Sequence, residues 1–344
     1  MAQPNSLTSV TNQSYNPELV DTILKSNVGL TRFLMRAKKW KGETMKFPIK
    51  FQKGISGTSF AGYQTLSTAA SDTRVNMAFT PKFYETNASL PLDQVWINES
   101  AGDAKVLDLA QTEIASRAED MADSLGDQFY GDGTGNGGLD FTGLAAIVDD
   151  GTSVATYGGL TRSTYTTIKA TVTASSGTLS LAKMATLYYA IASGTQKPTL
   201  GLCPETVFAL YEQLLQPQER IAKDVPMMKD SKGMSAGTGF TGLFYKGFPI
   251  LADEKCPAGK LYFLNESTID FYAVEGKTGV EPISIKVTDI KGNNYSDVKG
   301  MGFMWSGWIK AQNAAAIVGH FYLGGDFICK NPRFNGVLTG ISTI

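Results

Sequence analysis

The hydrophobic positions of this chain change period several times, and each change predicts an element. Around its first third, Leu107, Ala110, Ile114, Ala118, Met121, Leu125 and Phe129 recur in steps of three and four. Such steps place them on one face of a helix, with Asp108, Glu119, Asp120, Asp123 and Asp127 on the other. The spacing predicts a single helix over 98–130, roughly 50 Å long at the usual rise per residue. Ser100 with Asp103 makes an N-cap pair for it, and Gly131, opening the run GDGTGNGGLDFTGL, supplies the stop.

Upstream the period falls to two. Met45, Phe47, Ile49 and Phe51 alternate with Lys46, Pro48, Lys50 and Gln52, and a second alternating run carries Val75, Met77 and Phe79. A Gly-, Ser-, Thr- and Ala-rich stretch separates them, so the pair reads as a long ribbon with a loose tip. A lone hairpin is marginal in water, and about twenty structureless residues are unusual inside a compact domain. Two explanations fit the pattern equally: a ribbon and N-terminal arm packed on neighbouring subunits, or two strands of an ordinary sheet joined by a mobile loop.

Downstream, residues 160 to about 281 read as a second unit. Leu181, Met184, Tyr188 and Ile191 mark a helix closed by Gly194. A short strand, Thr199 to Cys203, runs into Pro204 and a second helix carrying Val207, Leu210, Tyr211, Leu214 and Leu215. A polar loop spans 216–242, and strands resume at Phe248–Leu251 and Leu261–Leu264 around a Pro257-Ala258-Gly259 turn. The tail from Ser284 onward is strand-like, and its Phe327-Ile328-Cys329 and Val337-Leu338 groups are expected to return beside the long helix. Helices and strands are partly segregated, which argues for an α+β fold over a doubly wound sheet.

Composition removes function classes more than it suggests them. The 344 residues carry 31 basic against 32 acidic side chains, and no block of like charge marks a nucleic-acid arm or a membrane patch. Cys203, Cys256 and Cys329 are far apart and odd in number, as expected of buried thiols in a reducing compartment. No signal-peptide core or membrane-length apolar run is present in the sequence, so a soluble intracellular chain is expected. His320, the sole histidine, lies in the apolar run AAAIVGHFYL and reads as a packing residue. With one histidine and no GxSxG elbow, neither a histidine-pair zinc site nor a Ser-His-Asp arrangement has its parts.

The glycine cluster is the remaining chemical candidate. Gly133, Gly135 and Gly138 satisfy a dinucleotide fingerprint letter by letter, but that fingerprint needs a strand before it and a helix after it. Here the order is reversed. An EF-hand reading through Asp132, Thr134 and Asn136 fails at its twelfth position, which is Gly143 instead of a bidentate glutamate. A turn that needs positive φ angles remains. No catalytic, cofactor-binding or metal-binding residue is predicted, and the chain reads as a non-enzyme.

At this point the order of parts resembles a known family. Tyr130-Gly131-Asp132-Gly133-Thr134-Gly135 at the end of the long helix, then Gly143-Leu144, the segment Tyr157 to Ser163 and Gly247-Phe248-Pro249-Ile250 carry the resemblance. With the ribbon, the helix-strand-Pro-helix unit and the terminal strands, they resemble the major capsid protein of tailed bacteriophages, the Hong Kong 97-like capsid fold.

The resemblance implies an N-terminal arm at 1–40 and an extended hairpin loop at 41–97 reaching over a neighbouring subunit. It implies a peripheral domain of 98–159 and 284–344 built on the spine helix 98–130, and an axial domain of 160–283 with the 216–242 loop near the symmetry axis. The implied function is self-assembly, as pentamers and hexamers, into an icosahedral virion shell around double-stranded DNA, after synthesis in the host bacterial cytoplasm. The implied partners are further copies of the chain, a separate scaffolding protein, a portal and a decoration protein, with only non-specific DNA contact and no membrane. The N-terminal segment is too short for a built-in scaffold, and the tip from Gly54 to Asp72 has no lysine, so no isopeptide weld between subunits is expected. Two other readings stand beside this one: an encapsulin-like nanocompartment shell, and a cytosolic enzyme using Asp or Lys chemistry.

Overall fold

The fold was analysed from a computed structural model of the chain. It describes residues 27–54, 57–100, 109–215, 243–275, 281–282, 287–288, 294–295 and 303–342.

Two mixed sheets organise the molecule. The larger has seven strands and is built on Ala316–Cys329, which pairs with Lys82–Pro91, Ile269–Val274, Phe303–Trp305 and Ile309–Lys310. Lys38–Lys39 and Glu281–Pro282 complete it. The smaller has six strands in the order Thr171–Gly177, Gly336–Ile341, Leu261–Leu264, Leu200–Cys203, Phe248–Ala252 and Leu243–Tyr245. Each sheet has its own core. Phe33, Met121, Leu125, Phe129, Phe271, Phe321 and Phe327 lie in the first, and Met184, Leu187, Val207, Phe248 and Phe263 in the second.

The helical spacings place the expected residues inside. In the helix Leu109–Phe129, Met121, Leu125 and Phe129 are buried, one turn apart. The Phe129 ring lies 5.5 Å from Phe33 and 5.2 Å from Phe327, so one side chain joins the helix to both the opening segment and the sheet. The helix Leu181–Ile191 buries Met184, Leu187, Tyr188 and Ile191 against the smaller sheet. Ser180 caps it by accepting from the Lys183 amide at 3.3 Å. Pro204 stands just before Glu205–Leu215, where its missing N–H costs nothing.

Several expectations are corrected by the structure. Of the helix expected over 98–130, the described residues show Leu109–Phe129, about 31 Å long, and the last residues of a helix that begins earlier, at Leu92–Ser100. Ser100 thus lies inside a helix instead of capping its start, and its hydroxyl donates to the Ile97 carbonyl at 2.9 Å; residues 101–108, with Asp103 and Leu107, lie outside the described residues. Residues 82–91, read from sequence as part of the extended loop, form a full strand of the larger sheet, from Lys82↔Gly325 to Pro91↔Ala316. Of the arm 1–40, residues 1–26 lie outside the described residues, and the remainder folds onto its own chain. The helix Val28–Leu34 buries Leu30, Phe33 and Leu34, and Asn27 donates to the Ala122 carbonyl at 3.1 Å, a fit that requires the bare Gly126.

The tail also divides differently. Ala316–Cys329 joins the larger sheet, but Gly336–Ile341 crosses into the smaller one, between Thr171–Gly177 and Leu261–Leu264. Ile269–Val274 crosses the other way and pairs with Ala316–Cys329. Neither exchange is encoded in a period-two pattern, and the docking of Gly336–Ile341 depends on a close approach at the Gly259 turn. Gly259 has φ +67°, and a Cβ there would press on the Ile341 carbonyl oxygen at 2.8 Å. The bare backbone lets the terminal strand dock, with the Ile341 amide donating to the Gly259 carbonyl at 3.0 Å.

Candidate assembly surface

The hairpin formed by Met45–Lys50 and Arg74–Phe79 is in the register that its alternation predicts, from Met45↔Phe79 to Lys50↔Arg74. Its inner row rests on its own chain. Phe47 lies 5.8 Å from Tyr272, Phe79 5.3 Å from Tyr157, and Phe51 5.1 Å from Tyr165. The turn Tyr157-Gly158-Gly159-Leu160 receives it closely. Gly158 has φ +57°, its carbonyl accepts from the Ala78 amide at 2.9 Å, and a Cβ there would meet Met77 at 2.9 Å. The base of the ribbon is thus part of this molecule's core, and of the two readings only its tip fits a reach to another subunit.

That tip is unlike the base. Residues 57–72 form no strand and are all exposed, Phe60 at 64 % and Leu66 at 56 %, with Tyr63 fully open. A second unburied feature follows the strand Lys82–Pro91. The helix Leu92–Ser100 has no buried residue and presents Trp96 at 62 % and Ile97 at 69 % exposure. Grouped apolar side chains left open in a folded chain, unlike single ones, mark surfaces that a partner covers.

The glycine cluster explains how the spine helix is tied to the sheet. Gly133 (φ +76°), Asn136 (φ 49°) and Gly137 (φ +68°) take the left-handed conformations expected of a turn. Asp132 folds back to accept from the amide and hydroxyl of Thr134 at 3.0 and 2.8 Å, bonds that hold its carboxyl below the ordinary aspartate value. A Cβ on Gly143 would press on the carbonyl oxygens of Gln128, Phe129 and Gly131, so only glycine lets the loop cross the helix end. Leu144 behind it is fully buried. The helices in and after the cluster, Gly135–Gly138 and Leu144–Ile147, are single turns of four residues each, too short for the N-terminal anion site that a nucleotide phosphate uses.

Asp326, on the central strand, anchors this loop. Its two oxygens accept from the Thr142 amide at 2.7 Å and the Thr142 hydroxyl at 2.8 Å, and the Phe327 amide also donates to it at 3.0 Å. Burial raises its carboxyl to about 6, against the opposing pull of those bonds and of Lys82. The Lys82 amine donates to the carbonyls of Gly133 and Asp140 and so closes the junction from the strand Lys82–Pro91. Sequence reading did not single out Lys82, Thr142 or Asp326. Their contacts span up to 184 residues, and no local spacing signals such a tie.

Arg162 is a second hidden anchor. Fully buried, it donates to the carbonyls of Ala146, Ile147 and Val154 and sits 3.3 Å from Asp149. Asp149 in turn accepts from the amides of Gly151 and Val154 at 2.8 and 3.0 Å. The cation is therefore paired and hydrogen-bonded as a buried charge must be.

The remaining sequence candidates fall as follows. His320 lies at the surface of the central strand instead of in the core, with Nδ1 2.7 Å from Glu85, while its ring stacks on Tyr322 at 6.0 Å. Asp120 and Asp127 lie on the outer face of the spine helix, but Asp123 and Asp127 share the Lys255 ammonium at 2.7 and 3.0 Å instead of facing only solvent. Cys203, Cys256 and Cys329 are free and buried, and burial pushes the thiols of Cys203 and Cys329 up to about 12. Among the described residues no three His, Cys, Asp or Glu side chains cluster as metal ligands, and no helix is long and apolar enough to cross a membrane.

No protein-family model and no curated protein matches the chain. Solved structures do, over nearly its whole length. A chain of the cyanophage A-1(L) capsid asymmetric unit superposes with a TM-score of 0.76 at 15% identity, covering 98% of each chain. The SrpI encapsulin of Synechococcus elongatus PCC 7942 gives 0.60 at 12% identity, covering 99% of this chain and 96% of that one. The capsid chain of a native GTA particle also gives 0.60 at 12%, covering 99% and 100%. The mixed α+β chain thus has the fold of these shell proteins, the Hong Kong 97-like capsid fold.

Proposed function

We propose that the chain is a phage major capsid protein, a non-enzymatic subunit that assembles as pentamers and hexamers into an icosahedral head around double-stranded DNA. The observation that carries this reading is the match to the cyanophage capsid chain, at 0.76 over 98% of both chains. The unburied features agree with it: a hairpin tip with open Phe60, Tyr63 and Leu66 and a helix that buries none of its residues are what a subunit keeps for its neighbours. Closed symmetry repeats each contact many times, so individually weak interfaces sum to a stable shell. A net charge of −1 suits a container that contacts its DNA without gripping it, since strong binding comes from neutralising many phosphates.

In this reading residues 41–81 are the extended loop, with 82–91 returning to the sheet and 92–97 leading into the exposed helix. The peripheral domain is built on the helix Leu109–Phe129 and the central strand, and the axial domain is the six-stranded unit with the 216–242 loop toward the axis. A scaffolding protein, a portal and a decoration protein are the proposed helpers, and the virion is the proposed location. The encapsulin match, at 0.60, favours a nanocompartment shell as the second reading.

Electron microscopy of the chain expressed with and without its neighbouring genes separates the readings. DNA-filled heads that need a portal support the phage role, and closed shells that co-purify with an enzyme cargo support the nanocompartment. A uniform small globule overturns both.

A further inference from the structure

The strand Ile269–Val274 is buried along almost its whole length and fully paired on one side, from Ile269↔Cys329 to Val274↔Gly324. Its other side is covered by very little. Lys38 and Lys39 lie parallel to Tyr272 and Ala273, and the Trp40 amide donates to the Ala273 carbonyl at 2.7 Å. Parallel pairing is the weaker kind, and an uncovered apolar edge is a template for another chain.

Charge supplies what the two-residue strand lacks. Residues 32–41 read RFLMRAKKWK and contain no acid, whereas Glu266, Asp270 and Glu275 stand along the stretch they cover. Arg32 meets Glu266 through two donor nitrogens, with Arg36 3.9 Å from the same carboxylate. Lys38 lies 2.6 Å from Asp270, and Lys39 3.0 Å from Glu275. The flanks are held differently: Leu30, Phe33 and Leu34 are buried on one side, and Phe47 packs on Tyr272 on the other. Between these apolar anchors Arg36, Lys38 and Lys39 are exposed, while Met35, Ala37 and Trp40 rest only partly buried on the core. None of residues 35–41 is fully buried, so this middle part can lift while both flanks stay seated, as weakly buried short segments do.

We infer that residues 35–41 are a releasable strap, locked by ion pairs to Asp270, Glu275 and Glu266, which closes the open edge of Ile269–Val274. The Lys39–Glu275 pair is exposed and screened by salt; the pair of Lys38 with the buried Asp270, which Lys330 shares at 3.4 Å, is screened less, and the apolar anchors not at all, so ionic strength loosens the strap without opening the fold. Nothing in this inference depends on the shell reading.

Limited trypsin digestion of the intact chain tests it, because the strap carries its own cleavage sites. Cutting after Arg36, Lys38 and Lys39 is measured relative to cutting after Lys53, an exposed site outside the strap. Raising NaCl from about 0.05 to about 0.5 M should accelerate strap cleavage roughly tenfold relative to Lys53, while Lys183, in the helix Leu181–Ile191, stays uncut. Glu275→Gln, a surface change that leaves the core untouched, should raise the low-salt ratio about two- to fivefold, and Asp270→Asn should raise it further. A ratio unchanged by salt and by both variants overturns the inference. So does strap cleavage that rises only together with cleavage at Lys183, because that is unfolding of the whole chain.

Discussion

Replacing Asp326 by asparagine should change how the stability of this chain depends on pH, and the structure fixes the sign. The Asp326 carboxyl is 2 % exposed and its proton is held up to about 6 by burial, against an ordinary 3.8. Between those values the folded chain binds a proton that the unfolded chain does not. Stability from this group is therefore greatest at low pH and is lost as pH rises through 6. One full unit separates pH 5 from pH 6, so the change between pH 5 and pH 7.5 is about 1.4 kcal/mol; the whole shift of about two units corresponds to roughly 3 kcal/mol. Asparagine keeps an acceptor for the Thr142 amide, and its NH2 can donate to the Thr142 hydroxyl, but it does not titrate. Urea unfolding of the unassembled chain at pH 5, 6 and 7.5, for wild type and Asp326→Asn, measures the difference. The variant should gain on wild type by about 1.4 kcal/mol as pH rises over that range. Parallel stability curves, or a variant that gains as pH falls, would refute the assignment of Asp326 as the buried titrating group.

Other outcomes follow from the same geometry. Gly143→Ala forces a methyl against three backbone oxygens and should cost about 3 kcal/mol, the upper end of overpacking, read as a lowered urea midpoint. Arg162→Leu leaves Asp149 and the carbonyls of Ala146, Ile147 and Val154 without their donor and should cost about 3–5 kcal/mol by the same measurement. Combined Phe60→Ser, Tyr63→Ser and Leu66→Ser changes should leave monomer stability within about 0.5 kcal/mol, because these side chains are already exposed, yet abolish shells seen by microscopy. Denaturing gels of mature particles should show single chains and no covalent ladder, since no lysine lies between Gly54 and Asp72.

What could be read from the sequence and what could not divides along the range of the forces involved. Met45 to Lys50 and Arg74 to Phe79 alternate because one face is covered, and their register follows from that face alone. The helices Leu181–Ile191 and Glu205–Leu215 were equally legible, their apolar stripes bounded by Gly194 and Pro204. The GDGTG turn was legible as geometry, since only glycine and asparagine take its φ values readily, but not as a tie to Asp326. Lys82–Pro91 was missed because KFYETNASLP mixes polar and apolar residues on both faces, and its place is decided by a partner strand far along the chain. The start of the long helix was placed by a cap signal, Ser100 with Asp103, whereas Ser100 already lies inside the helix Leu92–Ser100, which buries none of its residues and so carries no apolar stripe to mark it. The Asp123 pairing was hidden for a related reason, because Lys255 lies 132 residues away.

The central strand Ala316–Cys329 also dictates when this molecule can exist at all. The strand partner of every residue in Lys82–Pro91 lies between Ala316 and Gly325, more than 200 residues further along the chain. On a ribosome those early residues must wait, unpaired, until the strand Ala316–Cys329 has also been made. High-separation pairing of this kind is slow and leaves strands open meanwhile. A message truncated before Ala316 would therefore yield no smaller version of the larger sheet, only its waiting strands. The cell thus obtains either a chain that carries this strand or one that cannot bury the core of its larger sheet.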